Sequence, residues 1–136
     1  MIAKALRFKV RYQETDRMGI VYHSNYLIWF EMGRTELFNK LGISYGELEK
    51  NGYYLVVTEA YCRYKGSATY EDSIELLTKL TEVKNSSMTF DYEVRNKDAL
   101  ITNGTTRHAF LDEKGKVTRI PREVTEALDK HEVSNG

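Results

Sequence analysis

The spacing of hydrophobic residues changes along the chain from a period typical of strands to one typical of a helix, and then back. Between Leu6 and Glu14 apolar and polar residues alternate, with Tyr12 on the apolar side, which predicts a strand. Residues 15–23 show no period and are predicted to form a loop. The next segment has apolar residues at steps of three and four, the spacing of a half-buried helix: Leu27, Phe30, Leu37, Phe38 and Leu41.

Local signals mark the ends of this helix and one position inside it. Ser24 or Asn25 can cap its start, and Gly42 can end it in the left-handed conformation. Gly33 lies in the interior, where glycine costs about 1 kcal/mol relative to alanine. We therefore expect the helix backbone to make a close approach there. A second, short helical turn is predicted to end at Gly52.

From residue 53 onward the pattern is again that of strands. Four segments are rich in β-branched and aromatic residues or alternate in polarity: residues 53–66, 73–84, 88–96 and 100–115. Pro121 fits the first turn of a C-terminal helix. Segregated helix and strands predict an α+β fold, a single domain over residues 1–136 in which one long helix packs on an antiparallel sheet. The edge of such a sheet could pair with a second copy, so a dimer is expected.

Composition and charge narrow the classes of partner and compartment. Twenty Lys and Arg balance twenty Asp and Glu, so no basic field is present to hold a nucleic acid or an anionic membrane. The single cysteine, Cys62, cannot form an intramolecular disulfide. The sequence shows no signal-peptide core and no apolar run of about twenty residues. We therefore expect a soluble, cytoplasmic protein without nucleic-acid or membrane partners.

Several common types of catalytic site are absent from the sequence. It contains no G-x-S-x-G, G-x-G-x-x-G or phosphate-loop motif. His23, His108 and His131 are far apart and far from Cys62, so no metal site is predicted. Cys62 lies in an apolar strand pattern, which favours an inert core thiol over a nucleophile. His108, on a strand without chemical neighbours, is expected to be structural.

The segment ETDRMGIVYHSNY, residues 14–26, has two interpretations on its residues alone. In the first, it only caps the helix: Asp16 forms a turn, Gly19 allows the bend and His23 is an exposed neighbour. In the second, free amide groups at the helix start polarise a bound carbonyl while Asp16 acts as a nucleophile or as a general base toward water. Spacing alone favours the first interpretation.

The same segment, extended on both sides to residues 12–38, resembles a known family signature. The pattern Y-x-x-T-D-x-x-G-h-V-Y-H-x-x-Y, followed by E-x-x-R-T-E, is similar to that of hotdog-fold acyl-CoA thioesterases of the 4-hydroxybenzoyl-CoA thioesterase type, in the YbgC-like branch. The matching residues are Tyr12, Thr15, Asp16, Gly19, Val21, Tyr22, His23, Tyr26, Glu31, Arg34, Thr35 and Glu36. A weaker match is YKGSATYED, in which Ser67 replaces the usual proline. Glu14 stands where the family often has Asp, and we interpret it as peripheral.

The resemblance implies a fold, a reaction and a set of site residues. The fold would be the hotdog fold, a long central helix wrapped by an antiparallel β-sheet, dimerising through the sheets, with dimers commonly paired into tetramers. Asp16 would be the catalytic carboxylate, and the backbone N–H of His23 would polarise the thioester carbonyl, with the side chains of His23 and Tyr12 in support. The implied substrate-binding residues are Gly19, Val21, Tyr22, Asn25 and Tyr26. No metal or resident cofactor is implied, because coenzyme A arrives as part of the acyl-CoA substrate.

Alternatives remain open for individual residues and for the function. Three basic residues could meet the phosphates of coenzyme A or simply lie on solvated strand faces: Arg63, Lys65 and Arg107. Glu31 and Arg34 are expected to form an ion pair on the helix, and Glu31 is the carboxylate to test if Asp16 fails. The substrate could instead be an acyl-acyl carrier protein, or the chain could be a non-catalytic acyl-CoA-binding module. A dehydratase is disfavoured because its Pro-rich histidine loop is missing.

Overall fold

Five strands form one antiparallel sheet in the computed structural model, which describes residues 2–135, with side chains through residue 132. The strands are β1 (Ile2–Lys9), β2 (Tyr54–Tyr64), β3 (Ser73–Val83), β4 (Ser87–Asn96) and β5 (Ala99–Leu111). The helices are α1 (Asn25–Lys40), α2 (Tyr45–Lys50) and α3 (Arg122–Asn135). The order across the sheet is β1-β3-β4-β5-β2, so β1 and β2 are its two edges.

Helix α1 packs on one face of this sheet, against β1 and β3. Its buried residues are Tyr26, Trp29, Phe30, Gly33, Leu37 and Phe38. The apolar face of β4 is buried beneath it: Met88, Phe90, Tyr92 and Val94. The rings of Phe30 and Tyr92 stack with centroids 4.1 Å apart. One long helix on one face of an antiparallel sheet confirms the predicted α+β arrangement.

At Gly33 the helix comes so close to β3 that no side chain fits. A Cβ atom at this position would overlap with Thr78 Oγ1 and lie 3.0 Å from Leu76 Cδ2. The close approach predicted from this glycine is therefore confirmed. Gly42 and Gly52 follow α1 and α2 with φ of +77° and +85°, so both helices end as predicted.

The first strand begins and ends earlier than predicted. β1 pairs with β3 from Ile2 opposite Leu80 to Lys9 opposite Ser73, and the pairing stops where β3 begins. Beyond that point Tyr12–Glu14 form a 3-10 turn. The prediction that Tyr12 lies on the apolar face of a strand is wrong, since Tyr12 is 74% exposed.

The predicted apolar stripe of α1 is confirmed except at Leu27. Leu27 is exposed, whereas Tyr26 and Trp29 are buried. The cause is aromatic packing: Trp29 contacts Phe8 of β1 edge to face, with ring centroids 5.0 Å apart. Ser24 is the residue before the helix, but its side chain makes no capping hydrogen bond.

The structure bears on two further predictions, that no apolar segment spans a membrane and that Cys62 is an inert thiol. No helix within residues 2–135 is long and apolar enough to cross a membrane. Cys62 is half-buried in β2, and burial raises the pKa of its thiol, which disfavours the nucleophilic thiolate. The cytoplasmic location stays a prediction.

Candidate active site

Asp16 lies in a tight turn between the 3-10 turn and α1. Its amide donates to the Ile20 carbonyl oxygen at 2.8 Å, and the Gly19 amide donates to the Asp16 carbonyl oxygen at 2.9 Å. Gly19 has a φ of +79°, a conformation that glycine adopts without steric cost. One carboxylate oxygen of Asp16 accepts a hydrogen bond from the Met18 amide at 2.8 Å. The other has no such partner among residues 2–135, so the turn orients the carboxylate and leaves one oxygen available.

Directly before α1, two backbone amides have no acceptor within the described residues. The amides of Asn25 and Tyr26 donate to the carbonyl oxygens of Tyr22 and His23, at 2.9 and 3.3 Å. The amides of His23 and Ser24 donate to no acceptor in the described part of the chain. Unpaired N–H groups at a helix N-terminus carry partial positive charge and can hold an oxyanion. The predicted amide of His23 is therefore free to bind a substrate oxygen.

One open cleft contains both the turn that holds Asp16 and the beginning of α1. It is lined by Tyr12, Gln13, Thr15, Asp16, Arg17, Gly19, Tyr22 and Asn25. The structure thus brings five of the predicted site residues together: Tyr12, Asp16, Gly19, Tyr22 and Asn25. The Tyr12 ring packs edge to face on Tyr70, which lies between β2 and β3, with centroids 5.6 Å apart. That contact holds an otherwise exposed tyrosine at the cleft.

The three remaining predicted residues do not line this cleft. Val21 and Tyr26 are 4% and 2% exposed and belong to the hydrophobic core. Their side chains pack in this core, and their contact with the substrate stays a prediction. The His23 side chain is exposed and lies between two rings, with centroid distances of 4.4 Å to Tyr22 and 6.2 Å to Tyr64.

Two residues near the cleft have roles that the sequence did not indicate. Glu14, interpreted as peripheral, is 4% exposed, and its carboxylate accepts a hydrogen bond from Trp29 Nε1 at 2.7 Å. These contacts make Glu14 a buried part of the framework beside the cleft. The hydroxyl of Tyr64 donates to the His23 carbonyl oxygen at 3.0 Å across 41 residues of sequence. No local pattern marks either contact, because each partner lies on a different element.

The expected ion pair between Glu31 and Arg34 is absent from the described residues. Arg34 instead donates to the Tyr92 hydroxyl at 3.2 Å, because its side chain turns toward the sheet and away from the helix surface. Among the basic residues considered for coenzyme A, Arg63 and Lys65 are exposed. The third basic residue, Arg107, forms an ion pair with Glu59, with Arg107 Nε 3.3 Å from a carboxylate oxygen.

The family can be assigned from comparison with known proteins. A model of the Thioesterase-like superfamily matches residues 10–128. The chain belongs to this superfamily. The match begins directly after β1 and ends within α3, so it includes the whole cleft around Asp16.

Three relatives of known name support this placement. The acyl-CoA thioesterase YbgC of Haemophilus influenzae is 30% identical over 132 residues, covering 94% of this chain and 97% of that protein. The acyl-CoA thioester hydrolase YbgC of Escherichia coli O6:H1 is 28% identical over 95 residues, covering 70% of this chain and 71% of that protein. A crystal structure of DHNA-CoA thioesterase from Staphylococcus aureus superposes with a TM-score of 0.91 at 34% identity, covering 99% of this chain and 94% of that one. The predicted family, hotdog fold and enzyme class, a thioester hydrolase, are confirmed.

Proposed function

We propose that the protein hydrolyses the thioester of an acyl-CoA to a free carboxylic acid and coenzyme A. The observation that carries the proposal is that Asp16 shares a cleft with Asn25 at the start of α1, two residues after His23. Within the described residues, one Asp16 carboxylate oxygen and the His23 amide have no hydrogen-bond partner. A carboxylate and an oxyanion-binding amide are the two groups that acyl transfer to water needs when no serine, cysteine or metal takes part. The names of the relatives support the same reaction.

Two routes are consistent with this pair of groups. In the first, Asp16 attacks the thioester carbonyl, coenzyme A leaves as a thiolate that is then protonated, and water hydrolyses the resulting anhydride. In the second, Asp16 removes a proton from a water molecule, and the resulting hydroxide adds to the carbonyl before coenzyme A leaves as a thiolate. In both routes the His23 amide stabilises the negative charge that develops on the carbonyl oxygen. Neither route uses a metal or a resident cofactor, which we propose the enzyme lacks.

The cleft residues divide into two groups in this proposal. Tyr12, Gly19, Tyr22 and Asn25 line the cleft and would contact the acyl group or its carbonyl. The exposed side chain of His23 would assist from the rim. Val21 and Tyr26 are proposed to support the cleft from the core.

We propose that a second copy of the chain completes the site. β2 is an edge strand of the sheet, and most of its residues are exposed, among them Tyr54, Val57, Tyr61 and Tyr64. An unpaired edge with exposed aromatic residues is a surface that a second copy can cover. We therefore propose a homodimer, which can pair further into a dimer of dimers, working in the cytoplasm.

The decisive experiment measures thiol release from short, long and aromatic acyl-CoAs and from an acyl-acyl carrier protein. Asp16→Asn is expected to lower kcat by about 10²- to 10⁴-fold, the range of general acid–base contributions. Asp112→Asn is the matched control, because Asp112 also accepts hydrogen bonds from turn amides, those of Lys114 and Lys116, at 2.9 and 3.0 Å. That control should keep wild-type turnover.

Each other outcome points to a specific alternative. Full activity of Asp16→Asn on the best substrate would remove Asp16 from the mechanism and make Glu31 the next carboxylate to test. Cleavage of the carrier-protein thioester alone would favour the acyl-acyl carrier protein as substrate. Binding of acyl-CoA by wild type without any cleavage would favour the non-catalytic binding module.

A further inference from the structure

Glu14 is a buried carboxylate two residues before Asp16, and it is bonded on both sides. One oxygen accepts a hydrogen bond from the Arg11 amide at 2.8 Å, and the other accepts from Trp29 Nε1 at 2.7 Å. The Arg11 guanidinium approaches the second oxygen at 3.4 Å. Because Arg11 lies before the 3-10 turn and Trp29 lies in α1, this one carboxylate connects the two segments on either side of the Asp16 turn.

The charge of Glu14 is maintained despite its burial. Burial by itself raises the pKa of a carboxyl group, but the hydrogen bonds from the Arg11 amide, the Trp29 indole and the Arg11 side chain, together with the Arg11 charge, lower the pKa of Glu14 below its ordinary value. An ionised carboxylate is a stronger acceptor than a neutral one. The link between the two segments is therefore made of charge-assisted hydrogen bonds.

The backbone of Glu14 makes a second connection to the start of α1. Its carbonyl oxygen accepts from the Tyr22 amide at 2.9 Å and from Asn25 Nδ2 at 2.8 Å. The next backbone amide along the chain is that of His23. Glu14 thus contacts the segment that carries the proposed oxyanion-binding amide, and it lies only two residues before Asp16 in the chain.

We propose that Glu14 is a positioning residue that sets the distance and orientation between the Asp16 carboxylate and the His23 amide. This inference rests on the proposed thioesterase function. Glu14 does not touch the substrate, because its side chain is buried away from the cleft. Its effect on catalysis comes from geometry, since a misplacement of about 1 Å between reacting groups can lower turnover about 10²-fold.

Glu14→Gln tests the inference, because it keeps the size of the side chain and replaces one acceptor oxygen with a donor. The new NH₂ group must face either the Arg11 amide or the Trp29 indole, and two donors in contact repel each other. We expect kcat to fall about tenfold or more with KM changed less than about twofold, the pattern of an interaction that acts only in the transition state. Glu75→Gln is the control, since the exposed Glu75 carboxylate pairs with Arg7 on the sheet.

A double-mutant comparison separates positioning from a general structural effect. If Glu14 acts through Asp16, then Glu14→Gln should reduce the residual activity of Asp16→Asn by less than about twofold, because the group it positions is already disabled. If Glu14→Gln fails to fold, as judged by circular dichroism, Trp29→Phe takes its place, since it removes one donor and leaves the carboxylate. That variant should show the same fall in kcat at unchanged KM.

The outcomes also separate this inference from the proposed function. Loss of activity in Asp16→Asn together with wild-type kcat in a folded Glu14→Gln or Trp29→Phe protein would overturn the role of Glu14 and leave the thioesterase intact. An equal fall in both backgrounds would also overturn it. If wild type cleaves no thioester, the proposed function itself is wrong.

Discussion

The Tyr64 hydroxyl donates a hydrogen bond to the carbonyl oxygen of His23 at 3.0 Å, joining the edge strand β2 to the start of α1. The same tyrosine packs its ring on Tyr26, with centroids 5.5 Å apart. The peptide unit that contains this carbonyl is therefore held from the sheet as well as from the helix. Since the His23 amide belongs to the neighbouring peptide unit, the contact restricts the orientation of the proposed oxyanion-binding group.

Removing this hydroxyl should lower turnover moderately. Tyr64→Phe deletes one neutral hydrogen bond worth about 0.5–1.5 kcal/mol and keeps the ring. We expect kcat to fall about threefold to tenfold in steady-state thiol-release assays, with the free energy of unfolding lowered by no more than about 1.5 kcal/mol. Tyr61→Phe on the same strand is the control, because Tyr61 is 57% exposed and its hydroxyl makes no hydrogen bond in the described chain. Equal activities of the two variants would show that the Tyr64 contact does not orient the amide.

The edge strand also leads to a prediction about assembly. Because β2 has one edge without a neighbouring strand in the described sheet and is rich in exposed aromatic residues, we expect the chain of 15.8 kDa to form dimers or tetramers. Light scattering coupled to size exclusion measures this mass directly. Tyr61→Lys should shift the mass toward that of a monomer, since it places a charge in the proposed interface. A monomeric wild-type protein with full activity would contradict the proposed completion of the site by a partner.

A buried histidine should make the stability depend on pH. His108 is 1% exposed, and its Nε2 atom lies 2.7 Å from Thr106 Oγ1, while Nδ1 has no partner within the described chain. Burial, with a smaller effect of the Arg34 charge, lowers the pKa of His108 from 6.5 to about 3. Between these two values the unfolded chain binds the proton and the native chain does not. This contribution to stability is therefore complete above pH 6.5 and is lost as the pH falls toward 3.

Urea unfolding at several pH values between 7.5 and 4 checks this prediction. His108 alone should reduce the free energy of unfolding by up to about 1.4 kcal/mol for each pH unit below its ordinary pKa. His108→Gln should flatten the curve, because the unfolded state loses its extra proton. His23→Gln, which removes an exposed imidazole, is the control and should retain the wild-type slope. Parallel curves for wild type and His108→Gln would contradict the prediction.

Two glycines in helices should respond to alanine in opposite directions. Gly33→Ala is expected to destabilise the protein by about 1–3 kcal/mol, because the new Cβ would overlap with the buried Thr78 hydroxyl. Gly46→Ala in α2 meets only Ser44 Oγ, at 3.6 Å, an ordinary contact. That variant should be neutral or gain up to about 1 kcal/mol from the better helix propensity of alanine. Thermal unfolding of both variants provides the test, and equal stabilities would mean that α1 does not approach β3 this closely.

Sequence reasoning succeeded where the signal was local. The order of the elements and the ends of the helices at Gly42 and Gly52 follow from periodicity and from the freedom of glycine at positive φ. The turn at Asp16 and Gly19 follows from turn chemistry over a few neighbouring residues. The family followed from a long motif, which the comparison with known proteins confirmed.

Tertiary structure decided what depends on partners far apart in the chain. The first strand ends at Lys9 because β3 begins opposite it, and Tyr12 then turns to the surface. Glu14 resembles any surface acid in the sequence, yet Trp29 buries and bonds it. These outcomes are set by pairing and packing between elements, and such contacts have no periodic trace along the chain. The sequence by itself determined that Asp16 sits before a helix; the fold determined how that carboxylate and the helix amide are held together.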